Sequence, residues 1–523
     1  MNPGQWTASE TDGRTTFFAH ALSLTALHGP GPWPGGGNPL PDEPSTQHEL
    51  SSTALDGIRT HHGGGADESP PVDTLINAIT EVLASPDPAA TAALHDRLAE
   101  HRALDVADDL VRGLRGIPAV DLRALALALI EHGTRRNAVA LGIVMLGIAG
   151  DARDEELLLL LGTLEDLTLY AVVALANTQS DRDQAIHRLA QRVNGWGRIH
   201  AVERLRGTND PEIKAWLLRG GFRNSILDQY LAHIAATTGD LHAALLAPEV
   251  DTELLHGAAG IFDALTDLHG PTWDIRNYED ALPCLTRFGE LIGAVPPNLT
   301  YISTAQGIHD VLKDPPSDTN WPETELSRVL GQFSALLARP DWSQHVRAML
   351  DHPPAISDFR RALACSDAVG INALPHALTR LRQPPHDSYT WHWAITHSPE
   401  SLHGALVRLA GEILPLDEMM SGPDPERIIG SSDEESVLDY VLSYLGESDV
   451  PEADLLPLIR TALCTSGLRL RGFALRTLDN RYGPDLPAVA RSWVHAAAAV
   501  EPDDDLRARF TDLLKRTEAT GEK

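Results

Sequence analysis

A mark recurs along this chain about every thirty residues. Runs rich in Ala, Leu and Val end in short polar loops that hold Asp151, Asp181, Asp210 and Asp240, at intervals of 30, 29 and 30 residues. A fixed period of this size is the trace of a stacked two-helix unit, because one hairpin cannot bury its apolar face alone. Each aspartate stands just before a second helix, where its side chain can accept from the N–H groups of the first turn. Pro211, directly after Asp210, suits the first helical position, whose N–H has no intrahelical partner. The four aspartates are therefore expected to be caps, not catalytic groups.

Apolar periodicity predicts helices over residues 135–150, 153–161, 167–177, 183–193, 196–206, 211–219, 224–237 and 241–246. Windows that alternate polar and apolar residues with β-branched enrichment are scarce, so the expected fold is all-α. Three segments carry the repeat most clearly: Ala138-Val-Ala-Leu-Gly ending at Gly150-Asp, Ala171-Val-Val-Ala-Leu-Ala ending at Asp181, and Ala201-Val-Glu-Arg-Leu ending at Asp210.

These segments resemble HEAT-type helical repeats over residues 135–247. HEAT and armadillo units commonly run about 40 to 47 residues. The shorter period here is more similar to compact HEAT-like units of bacterial proteins such as the phycobilin lyase subunits. The resemblance implies an α-solenoid of helical hairpins and says nothing specific about activity.

Flanking regions read differently. Residues 1–70 form a Pro/Gly-rich extension with helical patches at 15–27 and 50–61, broken by Gly29-Pro-Gly-Pro-Trp-Pro-Gly-Gly-Gly-Asn-Pro-Leu-Pro, where proline and glycine exclude regular structure. Residues 71–269 are the HEAT-like body. Residues 270–322 break the rhythm with seven prolines and the aromatic residues Trp273, Tyr278, Tyr301 and Trp321, leaving one helix over 280–294. Helical hairpins resume over 323–518, before a short tail at 519–523.

At 523 residues the chain exceeds one compact core, and its formal charge of −31 opposes a polyanion. Nucleic acid is an unfavourable partner on that ground, and a basic protein or peptide is the expected one. Only four basic residues are lysine (Lys214, Lys313, Lys515, Lys523), and the Ala, Arg, Gly and Pro usage resembles that of GC-rich bacterial, for example actinobacterial, proteins. No secretory start is evident, and the longest apolar run, 138–150, is too short for a bilayer, so a cytoplasmic protein without a membrane segment is expected. Cys284, Cys365 and Cys464 form no Cys-x-x-Cys pair, which leaves neither a zinc site nor a disulfide framework.

No motif of a phosphate loop, zinc helix or nucleophile elbow is present. Pro30 and Pro32 remove the donors a phosphate loop would need. A HEAT-like di-iron hydroxylase needs repeated His-Glu pairs, and His48-Glu49 is the only one. His386, His392 and His397 do not share one helical face. No metal or cofactor is expected. The segment that stands apart is 195–205. Ile199, Val202 and Leu205 make one apolar stripe, while Trp196, His200, Glu203 and Arg204 gather opposite. Arg198 lies near the stripe and needs a partner or a route to water. Arg219, Arg223 and Asn224 follow in the next hairpin, and Trp273 and Tyr278 lie in the aromatic span.

Two accounts compete for each group: inter-repeat packing with structural ion pairs, or a recognition patch, because Trp and Arg anchor interfaces. The preferred expectation is a protein- or peptide-binding scaffold, with enzyme activity left open. A second is a ligand-binding protein or enzyme with a pocket near Trp196–Arg204, where His200 and Glu203 would move protons. A third is a HEAT-like DNA-repair glycosylase, which the charge opposes.

Overall fold

The apolar runs become α-helices. A computed structural model describes residues 13–43, 72–384, 386–425, 427–428 and 432–521; the expected helical patch at 50–61 and the His48-Glu49 pair lie outside them. The described residues form 28 α-helices, short 3-10 turns and one π turn, and no strand. The first fourteen helices are α1 Phe17–His28, α2 Val72–Ala84, α3 Pro88–Ala99, α4 Ala103–Gly113, α5 Ala119–His132, α6 Arg136–Ala149, α7 Glu155–Gly162, α8 Glu165–Thr178, α9 Arg182–Arg192, α10 Gly195–Glu203, α11 Pro211–Trp216, α12 Gln229–Thr238, α13 Leu241–Leu246 and α14 Thr252–Leu265. Then come α15 Ala281–Ala294, α16 Leu299–Lys313, α17 Glu323–Leu337, α18 Pro340–Asp351, α19 Ile356–Ser366, α20 Leu374–Arg380 and α21 Ser388–His397. The last are α22 His403–Ile413, α23 Leu416–Met419, α24 Asp433–Leu445, α25 Glu452–Leu463, α26 Leu468–Tyr482, α27 Ala488–Val500 and α28 Asp504–Gly521.

The chain divides into two compact units. One comprises the residues up to Pro296 with Thr304–Ser334, and the other Pro297–Ser303 with the residues from Ala335 onward. In the first unit, α6 packs on α5 and α8, α8 on α7, α9 and α10, α10 on α12, and α12 on α14. Sequence explains this order. α6 has one charged residue in fourteen and buries Ala138 to Ile143, Met145, Leu146 and Gly147, so it must be enclosed on several sides. In the second unit α21 packs on α24, α24 on α26, and α25 on α22, α26 and α27.

Three of the four rhythmic aspartates cap as expected. Asp151 accepts from the Arg153 N–H and completes a capping box with Asp154. Asp181 accepts from Gln184 N, and Asp210 from Glu212 N and Ile213 N. Asp240 does not: it takes a left-handed conformation at φ 57° and its side chain caps nothing. The turn between α12 and α13 is two residues wide, Gly239 and Asp240, and Asp240 serves it as a backbone hinge, a conformation Asp tolerates better than most residues.

Two further spans differ from expectation. Residues 224–228 are a turn preceding α12, because Asn224 Oδ1 accepts from the N–H groups of Ile226 and Leu227. The span 270–322 holds two helices, α15 and α16. Asn298 starts the second by accepting from Tyr301 N, directly after the two prolines that read as a break.

The described part of the N-terminal extension lies as a strap past the starts of α6 and α8 and the end of α9. Phe17 N donates to Gly133 O at 3.0 Å, and α1 packs on α5 and α7. The strap then reaches α9, where a Cβ on Gly31 would stand 2.4 Å from Arg192 O. It returns past Leu164 and Glu165, which Gly37 and Gly36 approach just as closely. Arg136 secures its end, donating to Asp42, Glu43 and Asp166 at 2.9–3.1 Å.

Candidate binding surface

Helix α10 places the residues that stood out in the sequence. Asn194 accepts from Gly195 N at its start, and Gly195 holds φ 53°, which favours glycine. Glu165 of α8 reaches across to accept from Trp196 N at 2.7 Å. Burial is the main influence on that carboxyl and raises its pKa, while the Trp196 and Gly197 N–H groups oppose the rise. The helix thus carries a cap borrowed from its neighbour.

Both faces of α10 are enclosed. Ile199, Val202 and Leu205 are buried, and so are Trp196 and His200, only 4% and 5% exposed. The Trp196 indole packs tilted against Tyr230 of α12 at 5.1 Å and stands 6.3 Å from the His200 ring. His200 Nδ1 lies 3.9 Å from the Glu203 carboxylate. Arg204 donates to His200 O at 3.2 Å, and burial lowers its pKa. Arg198 donates to Val193 O and lies over the Trp216 ring at 5.5 Å, its pKa lowered by burial. The indole, imidazole, carboxylate and guanidinium are brought together as expected, inside the packing between helices.

The remaining candidates separate. Arg219 donates to Asp251 at 2.8 Å and to Ala215 O. Arg223 pairs with Asp228 at 3.2 Å and covers the Phe222 ring. Asn224 spends its amide on Phe222 O and Leu227 O as well as on the turn. Tyr278 is buried against Cys284; burial raises the pKa of both, the thiol to about 12. Trp273 stays open, as the side chain of Arg223 does. It is 58% exposed, with the Arg206 guanidinium over its ring at 5.5 Å and the His233 ring edge-on at 5.0 Å.

No group of three or more His, Cys, Asp or Glu among the described residues could hold a metal ion. An open cleft of about 340 Å³ in the second unit is lined by Asp424, Arg471 and Asp503 to Asp505. Its groups serve the fold: Arg471 binds Glu501, Asp503 caps α28 through Leu506 N, and Asp504 pairs with Arg507. No protein family, curated protein or solved structure matches the chain.

A second exposed aromatic group was not singled out from the sequence. His392 of α21 lies 4.8 Å from the ring of Tyr440 and 5.5 Å from that of Tyr444, both on α24. Tyr444 is 51% exposed. A signal was available, because Val437, Leu438, Val441, Leu442 and Leu445 complete the buried face of α24 and leave two tyrosines four residues apart outside it. The three histidines near Trp391 drew attention instead. His397 is stacked on Trp393 at 4.0 Å.

Proposed function

We propose that this chain is a binding scaffold, built of HEAT-like helical hairpins, that holds a basic protein or peptide. What carries the reading is the fate of the large side chains. Groups suited to chemistry are engaged in structural contacts, His200 and Tyr278 buried and Glu165 and Arg204 half-buried, while Trp273 and Tyr444 are left half or more exposed. Large aromatic residues kept at a surface suit partner recognition. The succession α6, α8, α10, α12 and α14, each joined through an intervening helix, supports the repeat reading, which offers extended faces. The formal charge of −31 supports a basic partner drawn in over distance.

Immobilised full-length chain, incubated at about 0.15 M salt with lysate of the cells that make it, tests the reading. A stoichiometric protein released by raised salt is the expected result. Recovery of no protein, or of a small molecule alone, overturns the reading.

A further inference from the structure

The binding reading leaves open where a basic partner docks, and α24 answers from its composition. The helix carries four acids, Asp433, Glu434, Glu435 and Asp439, and no Lys or Arg. At 100° per residue Asp433, Ser436, Tyr440, Ser443 and Tyr444 fall on one side, opposite the buried Val and Leu residues. Glu447 follows in the turn beyond the helix and accepts from Asn480 at 2.5 Å. Asp433 accepts from the Ser388 hydroxyl at 3.0 Å. Neither carboxylate forms a salt bridge with a cation among the described residues. The cation of α26 that does reach α24, Arg469, is engaged by Asp439 at 3.2 Å. The stripe therefore runs acid, tyrosine, tyrosine, acid.

Rings complete it. His392 Nε2 lies 3.3 Å from the Tyr444 hydroxyl, and the three rings incline at 34–61° to one another. With centroids 4.8–6.5 Å apart they leave no slot between them for a further ring, so a ligand would lie on the platform. Tyrosine faces attract cations, and guanidinium most often. A carboxylate at each end then pairs with the same partner's charges. An acidic or nucleic-acid partner would meet uncompensated carboxylates here as well as the charge of the whole chain.

We infer that the Tyr440–Tyr444 face of α24, with His392 of α21 beside it, is the docking surface for a basic, arginine-bearing segment of a partner protein. The inference rests on the binding reading above and adds its location and the chemistry of its ligand. Guanidinium groups lie on the Tyr440 and Tyr444 rings, and the flanking carboxylates of Asp433 and Glu447 pair with further cations of a segment lying along the helix.

Full-length protein is titrated at about 0.15 M salt with a short peptide that carries several spaced arginines and no acid, and with an uncharged proline-rich peptide of equal length. The arginine peptide binds and the proline-rich one does not. Tyr440→Ala/Tyr444→Ala weakens binding about tenfold or more, whereas Tyr440→Phe/Tyr444→Phe, which keeps the rings, stays within about threefold of the wild type. Equal binding by wild type and the double alanine variant would show diffuse attraction to an acidic surface and overturn the assignment. So would preference for the proline-rich peptide. A thermal melt of the variants separates lost binding from lost folding, and Tyr440→Leu/Tyr444→Leu, which removes the rings but keeps apolar bulk and helix propensity, is expected to weaken binding as the alanine pair does and keeps the test decisive if the alanine pair unfolds. Absence of peptide binding while the chain still retains a stoichiometric protein sinks this inference and leaves the binding reading standing; absence of both sinks the two together.

Discussion

Among single residues of the second unit, Arg471 and Glu501 form a buried ion pair. Both side chains are 1% exposed. The guanidinium donates twice to the carboxylate at 2.8 Å, and its third nitrogen donates to Thr465 O and Ser466 O. Such a pair holds its geometry because removing one member leaves the other charged and buried. Glu501→Ala is therefore expected to cost about 3–5 kcal/mol in chemical denaturation, and Arg471→Met a similar amount, while the combined Arg471→Met/Glu501→Leu variant recovers much of the loss. Single variants within about 1 kcal/mol of wild type would show that water reaches the pair. The sequence holds no sign of this contact, since thirty residues separate the partners and each looks like an ordinary surface charge. For the candidate site the limit was of the same kind. The helical wheel of α10 correctly gathered Trp196, His200, Glu203 and Arg204 on one side, but a wheel shows only which residues share a face. That Glu165 and Tyr230 enclose the face depends on two other helices.

At the scale of elements, caps and apolar periodicity were legible because both are local. Asp151, Asp181 and Asp210 bind N–H groups within three residues of themselves, and the helix bounds there fall within about three residues of expectation. Asp240 misled because composition cannot distinguish a cap from a left-handed turn. The helix α16 was hidden because Pro296 and Pro297, read as a break, precede a helix start at Asn298. The strap was beyond reach for a different reason: its contacts span more than ninety residues of sequence, as Asp42 with Arg136 shows. Its glycines can now be tested. Gly31 holds φ 114°, and a Cβ there would meet the Arg192 carbonyl at 2.4 Å and Thr163 at 2.8 Å. Backbone cannot yield as a flexible side chain can, so Gly31→Ala should lift this part of the strap and destabilise the first unit by about 1–3 kcal/mol. Hydrogen exchange should quicken in α1 and leave α26 unchanged. Unaltered protection of α1 would show that Phe17 and Arg136 hold the strap without close contact at Gly31.

Over the whole molecule the charge of −31 makes folded copies repel one another and strains each fold from within. Acidification has two opposed effects. Protonating the 23 histidines lowers the net negative charge and relieves repulsion, yet three of them are buried in the neutral form. His95 Nε2 accepts from Thr134 N at 3.2 Å, so a second ring proton would face a donor. His233 Nε2 lies 3.1 Å from Asn277 O and must donate to it, which leaves Nδ1 bare, buried and without a hydrogen-bond partner. His187 Nε2 is likewise buried without one. Burial is the largest influence on all three and lowers their pKa from 6.5. A histidine with a lowered folded-state pKa contributes stability that is present above its unfolded value and is lost as pH falls toward the folded one. Salt separates the two effects, because screening weakens repulsion between exposed charges and hardly touches a buried ring. At about 0.5 M salt the stability of the first unit should fall steadily as pH drops below about 6.5. At low salt the same acidification should cost less, since relief of repulsion offsets part of it. Thermal melts between pH 8 and pH 5 at both ionic strengths check this, and His233→Gln, which removes one titrating ring, should flatten the high-salt profile. A high-salt profile that is level or rising on acidification would mean that these imidazoles reach water in the folded state.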